Sequence, residues 1–333
     1  MARIGVVGGG AFGTAMACVV RRSGHEVTIW AREPEVVAAI NAERANPRFL
    51  PGIPLLAGIF ATHDLAKATS ADFLLLAPPA QHLRLVATAL RPFLRRGTPV
   101  VTCSKGIERG TCALMSQVIA ETLPEAPVAV LSGPSFAAEI AVDLPTAVTL
   151  ACADRALGER LARDIQNSRF GICVSDDIIG THLGGVLKNV LAIACGIVTG
   201  MSLGNDVRSM LVALGLAEAV RLGLAMGARL ETFLGLSGIA DMDLSCHSPA
   251  SRNMSLGIAL GEGRNLADVL AERVTVQEGV HSAEGVAELA RRHGVDMPIT
   301  AAVDRIINHG ADMNETVWQV LANPAPFDRT ASD

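Results

Sequence analysis

Short runs rich in valine, isoleucine and leucine punctuate the first half of the chain, at residues 3–7, 27–30, 73–77, 99–103, 128–131 and 147–151. They do not alternate apolar and polar positions, which suits strands covered on both faces. Between them lie helix-like stretches at 14–22, 35–42, 81–94, 113–123 and 155–166, and Gly24 stands where a left-handed residue would close the first helix. The strand–helix alternation predicts a parallel, doubly wound sheet.

A last strand-like run at 170–174 precedes a change of pattern near Asp176. Beyond it the spacing predicts helices at 178–201, 208–226, 252–261, 266–272, 283–293 and 300–308, with no strand. The long middle helices are apolar nearly all round and are expected inside an all-α domain. The expected organisation is an α/β domain over 1–175, a helical domain over 176–324 and a disordered polar tail at 325–333.

Composition narrows the function. Of 333 residues, 50% are hydrophobic and 18% charged, enough apolar content for two cores. The net charge is −5 with no basic stripe, and aromatics are 3% with no tyrosine, which argues against nucleic-acid partners. The seven cysteines show no C-x-x-C spacing, so neither a zinc site nor a disulfide framework is expected, and reduced thiols suggest a cytoplasmic protein. The N-terminus enters Arg3-Ile4-Gly5-Val6-Val7 directly and does not read as a signal peptide. The longest uncharged run, between Lys188 and Asp206, contains three glycines and reads as a core helix rather than a membrane span.

Gly8-Gly9-Gly10-Ala11-Phe12-Gly13 contains G-x-G-x-x-G between a predicted strand and a predicted helix. That context identifies a dinucleotide-binding turn of the Rossmann type. Gly8 permits the tight turn, Gly10 lets a pyrophosphate approach the backbone, and Gly13 permits close packing. The free N–H groups at the helix start face the phosphates. No G-K-[ST] follows, which excludes a P-loop. At the end of the second strand an NAD site usually carries an acid; here Ala31 holds that place and Arg32 follows. A guanidinium there can pair with a 2′-phosphate, so NADP(H) is expected to be preferred, with NAD(H) possible and no metal.

Four further segments hold polar or glycine-rich positions in apolar surroundings: Cys103-Ser104-Lys105-Gly106, Ser132-Gly133-Pro134-Ser135-Phe136-Ala137, Gly184-Gly185-Val186-Leu187-Lys188-Asn189 and Ser251-Arg252-Asn253. Each alone has an ordinary explanation as a solvated loop, a turn or a helix end. Their order, with Asn46-Pro47-Arg48-Phe49-Leu50-Pro51, Gly215-Leu216-Ala217-Glu218, Ala240-Asp241, Val276-Gln277-Glu278-Gly279 and Met297-Pro298-Ile299-Thr300, closely resembles NAD(P)-dependent glycerol-3-phosphate dehydrogenase. The resemblance runs from Ile4 to about Gly310.

The resemblance implies a Rossmann domain followed by a helical substrate domain, and a homodimer. The implied activity is hydride exchange between NAD(P)H and dihydroxyacetone phosphate, giving sn-glycerol 3-phosphate for phospholipid synthesis. It makes Lys188 the general acid/base, Lys105 a stabilising and substrate- and cofactor-contacting cation, and Asp241 a site carboxylate. Ser245, one helical turn on, joins it if that stretch is helical. Gly184 and Gly185 are expected to leave room for ligand against the helix. Asn189, Gly133, Ser135, Ser251, Arg252 and Asn253 are implied to contact substrate, with Arg252 at a helix start suited to a phosphate. Ala11, Phe12, Ala137, Arg252, Val276 and Glu278 are implied to contact cofactor.

Three positions depart from the family pattern: Ala11 and Phe12 stand where serine and tryptophan are common, and Ala213 where an arginine is common. Two other readings stay open from the residues: a related β-hydroxyacid-type dehydrogenase, whose carboxylate substrate Arg252 could equally hold, and a catalytically silent NADP(H)-binding redox sensor.

Overall fold

The computed structural model describes residues 1–273 and 276–322, and the tail expected at 325–333 lies outside them. The chain forms two compact units, Met1–Ser104 with Met115–Ile178, and Lys105–Leu114 with the chain from Ile179 onward. Division near residue 175 is the sequence expectation; the structure divides at Ile178 and gives Lys105–Leu114 to the second unit.

The first unit holds β1 (Arg3–Val7), α1 (Ala11–Arg22), β2 (Glu26–Trp30), α2 (Pro34–Glu43), β3 (Ala45–Asn46), β4 (Leu50–Pro54), β5 (Ile59–Thr62), α3 (Leu65–Thr69), β6 (Phe73–Leu76), α4 (Leu83–Leu90), β7 (Val100–Thr102), α5 (Met115–Thr122), β8 (Val128–Ser132), α6 (Ala137–Ala141), β9 (Thr146–Cys152), α7 (Arg155–Ile165) and β10 (Phe170–Ser175). Eight strands form one sheet in the order β10-β9-β8-β7-β6-β1-β2-β5, and β3 and β4 form a separate hairpin. The sheet is parallel, as the sequence predicts, except at one junction, where β8 and β9 pair antiparallel. The remaining pairs of that sheet are parallel.

The non-alternating runs are buried as their composition requires: Leu74, Leu75 and Leu76 of the central β6 are each 0% exposed. Burial of one such side chain contributes about 1.5–3 kcal/mol. Helix starts in this unit follow the usual devices, with Asp154 accepting from Leu157 N on α7 and Pro34 opening α2. Helix α1 differs: Gly10 precedes it with no side-chain cap, and its first turn has no acid. Gly24 follows its end with φ 89°, as expected.

The second unit holds α8 (Ile178–Gly200), α9 (Asn205–Ala225), α10 (Leu230–Phe233), a π turn at Leu236–Ala240, α11 (Asp241–His247), α12 (Arg252–Gly261), α13 (Leu266–Ala271), α14 (Glu278–Arg292), α15 (Pro298–His309) and α16 (Met313–Ala322). By length and composition α8 could cross a membrane, but 83% of its apolar window is buried inside the protein, so it is the core helix. Helices α8 and α12 touch backbone to backbone. A β-carbon at Gly196 would lie 2.2 Å from the Met254 carbonyl oxygen, and one at Gly257 would lie 2.2 Å from that of Ile193. Glu218 on α9 caps α15 from a distance, accepting from Ile299 N at 2.6 Å and from Thr300 N and Oγ1 at 3.1 and 2.9 Å. Segment Lys105–Leu114 is held here by buried Ile107, by Arg109 paired to Glu284 at 2.9 Å and by Arg292 donating to the Thr111 carbonyl.

Candidate active site

The glycine turn joins β1 to α1 in the first unit. Gly8 has φ 123°, and a β-carbon there would lie 2.8 Å from the Ala77 carbonyl, so the turn admits only glycine. A β-carbon at Gly13 would lie 2.0 Å from the Gly8 carbonyl oxygen, which makes Gly13 the close-packing position. Gly10 is different, since nothing lies within 4 Å of its β-carbon position. Its openness, with the uncapped amides of α1 beside it, fits a pyrophosphate. Ala11 and Phe12 begin the helix and are partly buried.

A residue with no expected site role supports this turn. Asn46, 0% exposed, donates to the Gly9 carbonyl at 2.9 Å and to Thr14 Oγ1 at 2.8 Å. In the sequence Asn46 appears only within the Asn46–Pro51 segment that contributes to the family resemblance. Arg32 leaves the end of β2 with its side chain 74% exposed and pairs with Glu33 at 2.7 Å. Farther along, Gly133 has φ 147° and sits against the Val148 backbone, so the fold itself requires it. Ser135 donates to the Gly133 carbonyl at 2.8 Å, and Ala137 opens α6.

The second unit gathers three charged side chains. Asp241, 0% exposed, begins α11. Lys105 Nζ lies 2.7 Å from its Oδ2, and Lys188 Nζ from α8 lies 2.8 Å from its Oδ1. Lys188 also donates to Ser245 Oγ at 2.9 Å. Ser245 stands one turn after Asp241 on the same helix, as the sequence suggested. The lysine side chains are 15% and 13% exposed, so both cations are drawn in without being sealed off.

Backbone crowding sets this geometry. The expectation that Gly184 leaves room for ligand is corrected: a β-carbon there would lie 2.1 Å from the Ser237 carbonyl oxygen, so the π turn before Asp241 fills that space. Within the turn Gly238 adopts φ −101°, ψ −108°, outside helical geometry. Such π turns are rare and frequently mark functional sites.

Ser251-Arg252-Asn253 divides three ways. Ser251 caps α12 by accepting from Met254 N, Arg252 is exposed in the first turn, and Asn253 turns inward and is buried. There its Nδ2 donates to Asn189 Oδ1 at 2.9 Å. Val276 precedes α14 and Glu278 begins it; both are partly buried. No group of three or more His, Cys, Asp or Glu placed to hold a metal occurs among the described residues.

A dinucleotide-binding α/β unit and a helical unit carrying lysines on a buried carboxylate together define a nicotinamide-dependent dehydrogenase architecture. The family models for the NAD-dependent glycerol-3-phosphate dehydrogenase N-terminus and C-terminus match residues 3–158 and 177–318. The chain belongs to that family. It is 53% identical over 322 residues to the glycerol-3-phosphate dehydrogenase [NAD(P)+] of Parvibaculum lavamentivorans, covering 97% of each chain. It is 52% identical to that of Rhodospirillum rubrum, covering 96% of this chain and 92% of the relative. The crystal structure of glycerol-3-phosphate dehydrogenase from Coxiella burnetii superposes with a TM-score of 0.92 at 36% identity, covering 96% and 98% of the two chains.

Proposed function

We propose that this protein is an NAD(P)-dependent glycerol-3-phosphate dehydrogenase, interconverting dihydroxyacetone phosphate and sn-glycerol 3-phosphate. The observation that carries the reading is the pair of lysines on Asp241, joined to a family match over both units. When bound, the nicotinamide supplies the hydride that reaches the carbonyl carbon, or accepts it in reverse. The chain's own residues do the rest. Lys188 polarises the carbonyl oxygen and delivers the proton that makes it a hydroxyl. Asp241 and Ser245 aim the Lys188 ammonium. Lys105 shares the carboxylate and stabilises the developing oxyanion. Arg252, in the first turn of α12, pairs with the phosphate through charge-assisted hydrogen bonds. The open turn at Gly10 takes the pyrophosphate.

The preference for NADP(H) rests on Arg32. Its guanidinium already faces an anion, the Glu33 carboxylate, and is exposed enough to exchange it for a 2′-phosphate. A cytoplasmic setting accords with seven unpaired cysteines, six of them buried. A homodimer accords with exposed Leu224, Leu230 and Leu234 on the second unit. Supply of sn-glycerol 3-phosphate for phospholipid synthesis is the corresponding biological role.

The test is oxidation of NADPH, then NADH, on adding dihydroxyacetone phosphate, with unphosphorylated dihydroxyacetone as control. Oxidation that requires the phosphate ester supports the reading, and no oxidation with either cofactor refutes it. Equal or better use of NADH would remove the role given to Arg32.

A further inference from the structure

Lys105 lies in no helix or strand: β7 ends at Thr102 and α5 begins at Met115. The chain between them closes on itself. Ile107 and Leu114 form an antiparallel bridge, Glu108 N donates to the Ala113 carbonyl at 3.0 Å, and Cys112 N donates to that of Glu108 at 2.9 Å. These bonds fix the shape of the loop but not its place. The position of Lys105 therefore depends on what the loop is fastened to.

One fastening is α14. Ile107 is 0% exposed, and its side chain stands where a side chain at Gly285 would be: a β-carbon there would lie 2.4 Å from Ile107 Cγ2. Gly285 sits inside the 15-residue α14, where glycine is a poorer helix former than alanine, so its place marks a notch. Beside the notch Arg109 sets Nε and Nη2 each 2.9 Å from Glu284 Oε2. Two turns farther along, Arg292 Nη1 donates to the Thr111 carbonyl at 3.2 Å. The Arg109–Glu284 pair is about half exposed, and such pairs contribute little. The buried seat of Ile107 is the stronger hold.

We infer that Gly285 is a positioning residue: the notch it leaves in α14 seats Ile107 and, with Glu284 on Arg109, sets where the Lys105 ammonium meets Asp241. The inference rests on the role proposed above for Lys105. Only Gly106 separates Ile107 from Lys105, so a shift of the one passes to the other through peptide units that turn but do not stretch. Carbon atoms pack at about 3.5 Å, so a methyl group at residue 285 must push Ile107 by about 1 Å. The Lys105 ammonium lies 2.7 Å from Asp241 Oδ2, and a displacement of that size takes it out of hydrogen-bond range.

Turnover of dihydroxyacetone phosphate with NADPH by the full-length enzyme tests this, with thermal melting reporting the fold of each variant. Gly285→Ala is expected to lower kcat by roughly ten- to a hundredfold, the cost of misplacing a group by about 1 Å. Adding Ile107→Leu, which removes the Cγ2 in the way and keeps the volume, is expected to return kcat to within about threefold of wild type. In a Lys105→Met background Gly285→Ala is expected to change kcat by no more than about twofold, because the residue through which it acts is gone. Wild-type kcat in Gly285→Ala, no rescue by Ile107→Leu, or an undiminished loss in the Lys105→Met background would each overturn the inference while leaving the activity in place. Wild-type turnover in Lys105→Met would refute the role of Lys105, and the notch with it. No turnover by the wild type would instead remove the proposed function. Should Gly285→Ala fold poorly, the exposed pair takes its place: Arg109→Glu and Glu284→Arg are each expected to lower kcat about threefold, and together to restore it. Unchanged single variants, or no restoration, would overturn the inference.

Discussion

The ammonium of Lys188 lies 2.8 Å from Oδ1 of Asp241, while the other oxygen of that carboxylate holds Lys105 at 2.7 Å. One buried anion thus gathers two cations that would repel each other without it. Asp241→Asn is expected to keep the shape and lose the charge. Removing one partner of a buried ion pair costs about 3–5 kcal/mol. The variant should therefore melt lower and turn over at least roughly a hundredfold more slowly. Unchanged melting and turnover would show that the carboxylate organises neither lysine.

Arg252 opens α12 while its neighbours Ser251 and Asn253 are engaged in the cap and in a hydrogen bond to Asn189. Arg252→Ala should raise KM for dihydroxyacetone phosphate roughly ten- to hundredfold, from a charge-assisted bond of about 1.5–3 kcal/mol. The folded core should be untouched, since the side chain is exposed. An unchanged KM would remove Arg252 from phosphate binding.

Glu218 couples stability to pH. Burial pushes its carboxyl up from 4.5 to about 7, against the opposing hydrogen bonds from Ile299 and Thr300. A carboxyl raised on folding binds its proton more tightly in the native state. Its contribution is therefore largest below about 4.5 and is lost as pH rises through about 7. Denaturant titrations should show wild-type stability falling across that window relative to Glu218→Gln, which cannot ionise. Parallel curves for the two proteins would contradict this assignment.

His182 acts in the opposite sense. Burial lowers its imidazole from 6.5 to about 4, and neither ring nitrogen has a hydrogen-bond partner among the described residues. The native state holds the ring neutral, so its contribution is present above 6.5 and is lost as pH falls towards 4. His182→Leu, which removes both unpaired nitrogens, should be as stable as wild type or more so at neutral pH and should lose the acid-side slope. A variant that is less stable, or equally acid-sensitive, would show that the ring has a polar role.

Much of this architecture was legible because local rules and tertiary needs agree. The runs at 3–7 and 73–77 are apolar on both faces because helices cover both faces, and the glycine loop is spelled by backbone angles that only Gly8 can adopt. Strand β5 pairs on one side only and exposes Phe60, so its apolar signal in the sequence is diluted. The reversal at β9 was hidden because an apolar run reads the same in either direction. The lysines could be named from their segments, but the bond between Asn253 and Asn189 could not. Asn253 finds Asn189 across 64 residues, through a helix contact made at Gly196 and Gly257. The space beside Gly184 follows the same rule, since one-dimensional spacing shows that room exists but not that the Ser237 backbone enters it.

The most direct test of the whole account compares wild type with Lys188→Met under saturating NADPH and dihydroxyacetone phosphate, with NADPH binding measured on the same samples. Rapid phosphate-dependent oxidation is expected of the wild type. A loss of about 10²–10⁴-fold is expected in the variant, the usual worth of a positioned general acid, with cofactor affinity nearly unchanged. Near-normal turnover in Lys188→Met, with NADPH bound, would contradict the role of Lys188.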